Sequence, residues 1–297
     1  MPGDSRSPMI SYPGSFMFIS DEVSQDPVVV AAFARRHGFA GIELRSMFGR
    51  SFRDLTRADV AEIARIMTDQ GLRVLGCATP VFKCALEDAA QRAEHAEIFR
   101  RSVEIGVALG APLLRVFTFL REPRAPTDSE LAQAAAHINQ LLAHCPAEMK
   151  IGVENEASCL MGTGVETERF LRSGADDRLT LIWDPCNVLY VPGFSGAATE
   201  GFSRIAGRVS HVHIKDATRT AGGVETRKMG EGQTGWRKHF GEIDHSGYRG
   251  RYALETHWRQ RTLDSAALHL PGGFGFSAGG EPASEACLEA IQAILKR

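Results

Sequence analysis

Several features are missing from this 297-residue sequence, and each absence removes a class of protein. No two cysteines stand in a C-x-x-C spacing: Cys77, Cys84, Cys145, Cys159, Cys186 and Cys287 are scattered along the chain. In a chain of this length they read as reduced thiols, not as a disulfide framework. No excess of one charge is present, since 34 basic residues face 36 acidic ones and the net charge is −2. That balance supplies no electrostatic case for nucleic acid or a membrane surface. No apolar run approaches the length of a membrane span. The first residues, MPGDSRSPMISYPG, lack the apolar core of a signal peptide, so the expected location is cytoplasmic. No G-x-G-x-x-G follows the first strand-like segment, which argues against an open dinucleotide-binding sheet. Linkers, low-complexity tracts and short-period repeats are also missing.

What is present is an alternation. Short apolar runs suited to strands are SFMFIS (15–20), GIELR (41–45), RVLGCA (73–78), PLLRVFTF (112–119), KIGVEN (150–155), LTLIWD (179–184), RVSHVHIK (208–215) and RYALETH (251–257). Helical patterns follow them at 26–38, 56–71, 87–110, about 128–144, about 166–173, weakly near 198–206, in WRKHFGEIDHSG, and at the C-terminus. Asp-Pro and Thr starts with Gly stops bound several of these, the asymmetry expected of helices. The stretch between 215 and the seventh helix reads as a polar loop. Eight strand–helix units without a composition break predict the α/β class, a single (β/α)₈ TIM barrel over 15–297 after an N-terminal tail of 1–14.

In such a barrel chemistry collects at the C-terminal ends of the strands. Polar residues gather there: Glu22 after the first strand, Glu43 and Arg45 at the second, Arg115 in the fourth, Glu154 and Glu156 at the fifth. Asp184 ends the sixth, His211, His213 and Lys215 lie in the seventh, and Glu255 and His257 end the eighth. Acidic groups converging on one mouth repel each other unless a cation sits among them. Glu154, Asp184, Glu255 and one of the two histidines, from four successive strands, could surround one divalent metal. Three carboxylates and an imidazole are oxygen-rich, which favours Mn²⁺, with Mg²⁺, Co²⁺ or Zn²⁺ as alternatives. Arg115 shares a strand face with Leu113 and Phe117, so it should be buried and in need of a carboxylate partner.

The motifs SDEVSQD, GIELR, VENEAS, WDPCN, HVHIKD and MGEGQTGWRKHFGEIDHSGYRGRYALETH resemble the xylose-isomerase-like barrel superfamily, which holds sugar isomerases and epimerases, inosose dehydratases and endonuclease IV. The resemblance runs from about residue 16 to the end. It implies metal ligands at Glu154, Asp184, His213 and Glu255, with Glu154 and Glu255 doubling as acid/base groups, and His211 supporting from one layer deeper. Substrate contacts are expected from Glu22, Glu43, Arg45, Arg115, Glu156, Asn187, Lys215 and His257. Many relatives carry histidine three residues after the sixth-strand aspartate, where this chain has Asn187; that departure counts against a multi-zinc endonuclease.

The implied activity is a divalent-metal-dependent isomerase or epimerase of carbohydrate metabolism, acting on a ketose or related polyol ketone through a metal-stabilised enediolate. The alternative is a lyase, a dehydratase of an inosose-like keto-polyol at the same site, with Lys215 protonating the departing oxygen. A third reading, a subunit or binding role without catalysis, leaves a full ligand set without use. The expected partner is a small carbohydrate, with no nucleic acid and no membrane; a homo-oligomer is compatible with the sequence, though no motif encodes one. The glycine-rich PGGFGFSAGG (271–280) reads as a lid.

Overall fold

The computed structural model describes Tyr12, residues 14–260 and residues 275–296. The expected tail, apart from Tyr12 and Gly14, and residues 271–274 of the expected lid lie outside the described residues. The barrel strands are β1 (Phe16–Phe18), β2 (Gly41–Leu44), β3 (Arg73–Cys77), β4 (Leu113–Val116), β5 (Lys150–Glu154), β6 (Thr180–Trp183), β7 (Val209–Ile214) and β8 (Arg251–Leu254). All of the pairings between them are parallel, in the order β1-β8-β7-β6-β5-β4-β3-β2. A parallel bridge between Ile19 and Glu43 joins the two ends, completing a (β/α)₈ barrel.

The helices that cover it are α1 (Pro27–Arg36), α2 (Arg57–Asp69), α3 (Ala89–Leu109), α4 (Asp128–Leu141), α5 (Gly164–Arg172), α6 (Phe202–Ile205), α7 (Trp236–His245) and α8 (Gly280–Leu295). Their starts follow local chemistry. Asp26 accepts the amide of Val28 ahead of Pro27, and Thr56, Thr127 and Thr163 each form a capping box with the acidic residue three positions on. The box at Thr163 starts α5 at Gly164, earlier than the periodicity suggests, because Glu166 accepts the amides of Gly162 and Thr163, both at 3.0 Å. The sixth helix shrinks to one turn, since Gly201 before it takes a left-handed φ of 85°. No helix among the described residues is long and apolar enough to cross a membrane.

Strand alternation divides the core in two. Phe16, Phe18, Ile42, Val74, Val153, Trp183, Val212 and Leu254 point outward into the large cluster shared with the helices. Met17, Ile19, Leu75 and Ala253 form a separate small cluster inside the lumen. Gly152 faces inward too; a Cβ there would lie 2.7 Å from Ile182 Cγ1, so a side chain at this point would collide with the lumen filling. Above this floor the inward positions turn polar, and the site begins.

The segment expected as a polar loop after β7 holds an antiparallel hairpin, Asp216–Thr220 paired with Gly223–Arg227. Its alternation is of Thr, Arg and Glu with few apolar residues, so it gives no buried face for periodicity to register.

Candidate metal centre

The barrel brings the four expected ligands together. Glu154 is the last residue of β5, Asp184 follows β6, His213 lies in β7 and Glu255 follows β8. One ligand atom from each lies within 4.8 Å of all the others, and all four residues are buried. The parallel ladders set the heights of these side chains: Glu154 pairs with Ile182 and Ala253 with His213, and a register shift between Leu181 and Ile182 brings Trp183, the residue before Asp184, opposite Val212, the residue before His213.

Each carboxylate is already held by protein cations. Glu154 Oε1 accepts from His213 Nδ1 at 2.9 Å, and its Oε2 lies 3.1 Å from Arg115 Nη1. Arg115 is thus buried beside a carboxylate partner, as its strand position requires. The Lys215 ammonium sits 2.7 Å from Asp184 Oδ2 and 2.6 Å from Glu255 Oε2. Arg45 donates to Glu255 at 2.5 Å, to Glu22 at 2.8 Å, and through Nε to both oxygens of Asp21 at 3.0 Å. Asn155 fixes the Asp184 backbone from both sides, with two hydrogen bonds of 2.7 Å.

The two histidines play different parts. His211 Nε2 donates to Glu43 Oε2 at 2.8 Å, and His213 Nε2 lies 3.2 Å from the same oxygen. Glu43 therefore sits beneath both rings and sets which His213 nitrogen faces the cup: Nε2 points down to Glu43, and Nδ1 points up to Glu154 and Glu255. A carboxylate behind a histidine in this way fixes its orientation and raises its basicity as a ligand.

Burial would lower the His213 pKa, but Glu43 and Glu154 outweigh it and hold the ring well above the ordinary value. For His211 burial wins over Glu43, and the pKa falls. Burial alone would raise Glu154 and Glu255; His213 with Arg115 in the first case, and Lys215 with His257 and Arg45 in the second, hold both below the usual carboxylate range. For Asp184 burial prevails over Lys215, pushing it up to about 6.

These residues fit a divalent cation on a structural ground. Glu154 Oε2 and Asp184 Oδ2 are buried and lack a hydrogen bond, because the nearby Arg115 and Lys215 groups approach without the alignment of one. Two buried carboxylate lone pairs left open, next to an imidazole nitrogen and a third carboxylate, form the donor set of a hard cation.

The other expected residues divide by depth. Arg45, Arg115, Glu156, Asn187, Lys215 and His257 line the cleft above the cup. Asn187 reaches Glu154 Oε1 at 3.4 Å and the Asn155 carbonyl at 2.8 Å, bracing a ligand strand. Glu22 and Glu43, expected against substrate, do not line the cleft. Glu43 is spent on the histidines, and Glu22 accepts from Arg45, Arg259 at 3.1 Å and the His257 amide at 3.0 Å. His257 has φ of +46°, a strained value for a non-glycine residue, and its ring stacks on Phe276 at 4.0 Å between centroids. Phe276 also lies under the guanidinium of Arg45, and its carbonyl accepts from Arg259. Asp21, Ser46, Arg259 and Phe276 complete this network, and the sequence reading missed them. Only Asp21 left a trace, as the acidic neighbour of Glu22.

The sequence model of the family described as the xylose isomerase-like TIM barrel matches residues 31–279. The chain belongs to that family. A comparison with curated protein sequences finds no match. Among solved structures, D-allulose 3-epimerase from Methylomonas sp. in complex with D-allulose is 17% identical, with a TM-score of 0.70 over 94% of this chain and 96% of that one. The IolI protein with a bound zinc atom is 15% identical, with a TM-score of 0.71 over 94% and 97%. The 3-keto-D-glucoside 4-epimerase YcjR from E. coli is 14% identical, with a TM-score of 0.66 over 95% and 99%. At these identities the likeness is one of fold, and this xylose isomerase-like barrel owes its chemical reading to its own side chains.

Proposed function

We propose that the chain is a divalent-metal-dependent isomerase or epimerase of a keto-sugar. The observation that carries this is the meeting of Glu154, Asp184, His213 and Glu255 within 4.8 Å, with open carboxylate oxygens among them. A divalent ion held by these four would supply Lewis acidity, lowering the barrier to loss of the carbon-bound hydrogen of an α-hydroxyketone. Two sugar epimerases among the structural neighbours, and the IolI protein with its bound zinc atom, support the same reading.

The protein side of the reaction follows from the carboxylates. Glu154 and Glu255 stand three strands apart, so they flank whatever occupies the cup. Both are held ionised by their cationic neighbours, so each is ready to take a proton from its own face of the substrate. Loss of that proton leaves an enediolate; return of a proton to the opposite face inverts the carbon, and return to the neighbouring carbon moves the carbonyl. Lys215, 2.6 Å from Glu255 Oε2 and lining the cleft, is placed to return it. Arg115 lines the same wall and can hold a substrate oxygen without giving up a proton.

The position of Lys215 also favours a second reading, since an ammonium at the reacting end could protonate a departing hydroxyl and make the enzyme a dehydratase. Proton NMR in D₂O with Mn²⁺- or Mg²⁺-loaded protein and a panel of ketohexoses, keto-glycosides and inososes tests both. Deuterium wash-in with retention of all hydroxyls is the expected result; a dehydrated dione selects the lyase. Glu255→Gln should lower the rate by about 10²–10⁴-fold, the span of a lost acid/base group. Full turnover by that variant, or by metal-stripped protein, refutes the assignment.

A further inference from the structure

Arg45, Arg115 and Lys215 all reach carboxylates of the cup, but two of them also have partners outside it. Arg45 is shared with Asp21 and Glu22, and Arg115 donates through Nε to the carbonyl of Thr79 at 3.3 Å. Lys215 differs. Both carboxylates it meets, Asp184 and Glu255, belong to the four-residue ligand set.

It also meets them at the oxygens that face the cup. Glu255 Oε1 is turned to Arg45 at 2.5 Å and to His257 at 3.2 Å, and Asp184 Oδ1 accepts the Asn187 amide at 3.1 Å. The Lys215 ammonium takes the other oxygen of each, Glu255 Oε2 at 2.6 Å and Asp184 Oδ2 at 2.7 Å. Glu255 Oε2 lies 3.8 Å from His213 Nδ1, the ligand nitrogen, and Asp184 Oδ2 is one of the two open carboxylate oxygens. The ammonium and a divalent ion therefore compete for the same two oxygens, and two positive charges held on shared oxygens repel each other.

The backbone around Lys215 is fixed, so any shift falls to its side chain. Trp236 Nε1 donates to the Lys215 carbonyl at 2.7 Å. The next residue, Asp216, accepts the amides of Gly230 and Gly232 at 3.0 Å and of Thr234 at 3.1 Å. A Cβ at Gly232 would fall 2.2 Å from Asp216 Oδ1, so this clamp needs glycine there. Farther on, Arg219 donates to the carbonyls of Leu189 and Gly196, both at 3.1 Å, bracing the hairpin against the loop after β6. What remains free to turn is a compact charge on a flexible four-carbon stem, and Lys215 lines the cleft as well as the cup.

We propose that Lys215 is a built-in competitor for the metal's ligands, and that its ammonium turns out of the cup into the cleft, toward substrate, when a divalent ion enters. The inference rests on the isomerase reading above and adds a condition to it: the proton donor is presented to substrate by the loaded protein alone. Lys215 keeps its three N–H hydrogens through the exchange, and no covalent bond is made or broken. One residue thus steadies Asp184 and Glu255 before loading and serves the reaction after it.

The test reads metal affinity and lysine reactivity, not turnover. Isothermal titration with Mn²⁺ should give a Kd at least tenfold lower for Lys215→Met than for the unaltered protein. Lys83→Met removes a cleft cation that pairs with Glu156 at 3.3 Å, outside the ligand set, and should change Kd less than twofold. A second measurement needs no variant. Reductive methylation with formaldehyde and cyanoborohydride, followed by peptide mass spectrometry, should label Lys215 at least fivefold faster with Mg²⁺ present, while the exposed Lys238 reacts at an unchanged rate. Equal or weaker Mn²⁺ binding by Lys215→Met, an equal gain from Lys83→Met, or Lys215 labelling that Mg²⁺ leaves unaltered overturns the proposal with the isomerase reading intact. No Mn²⁺ binding by any of the three proteins removes the metal-dependent isomerase reading, and the competitor with it.

Discussion

Replacing Lys215 by methionine separates the contribution of this ammonium to the cup from that of an added metal ion. The residue is 5% exposed, and its ammonium lies 2.7 Å from Asp184 and 2.6 Å from Glu255. Removing one partner of a buried ion pair typically costs about 3–5 kcal/mol, because the remaining charge is left unpaired. Glu255 keeps Arg45 at 2.5 Å, so the lower end, about 3 kcal/mol, is the expected loss for the metal-free protein. At about 2.1 cal/mol/K per residue, the chain has an unfolding entropy near 0.6 kcal/mol/K, and Tm should fall by about 5 °C. Metal at about a hundred times its Kd adds about 2.7 kcal/mol to either protein, or about 4 °C, and more to the variant if the cation it lacks is the one the metal replaces. Scanning calorimetry at pH 8, after chelator dialysis and again with Mn²⁺, reads all four states. An unchanged Tm for the metal-free variant, or no response of either protein to Mn²⁺, refutes the account of the cup.

Four further outcomes test the scaffold. Thr127→Ala removes the capping box of α4 and should cost about 1 kcal/mol by chemical denaturation, with activity retained. Glu130, whose pKa is lowered to about 2 chiefly by Arg124, should stabilise the fold above its unfolded value near 4.5, an effect lost as pH falls from there through about 2; Glu130→Gln should flatten that part of the Tm–pH curve, and an unaltered curve would rule the contribution out. Gly152→Ala pushes a methyl against Ile182 in the lumen and should lower stability by about 1–3 kcal/mol. Arg219→Ala should raise amide exchange in residues 216–227 while leaving the barrel strands protected, and uniform protection there would deny the brace.

The barrel and the meeting of its four ligand candidates were legible because both rest on period. Strand alternation shows in runs such as SFMFIS and RVSHVHIK, and a residue at a strand end shares a rim with its counterparts whatever its distance in sequence. Partner choice was not legible. Glu43 and Glu22 look like rim carboxylates, yet Glu43 turns to the His211 ring 168 residues away and Glu22 to the Arg259 guanidinium 237 residues away, and no local pattern encodes such pairs. Arg259 and Phe276 come from segments with no regular period, and the hairpin after β7 hides because neither of its faces is apolar. Resemblance placed His213 above His211; the geometry adds Glu43 as the reason the two rings differ.

The small lumen cluster of Met17, Ile19, Leu75 and Ala253 has a bearing on traffic. These side chains are almost wholly buried and fill the barrel below the cup, so among the described residues the chamber opens at the end above it. Reactant and product must pass through the same doorway in turn, and each bars the other while it is inside. Such a one-door chamber cannot impose a direction on the reaction it hosts. The side toward which the equilibrium runs is left to the concentrations outside.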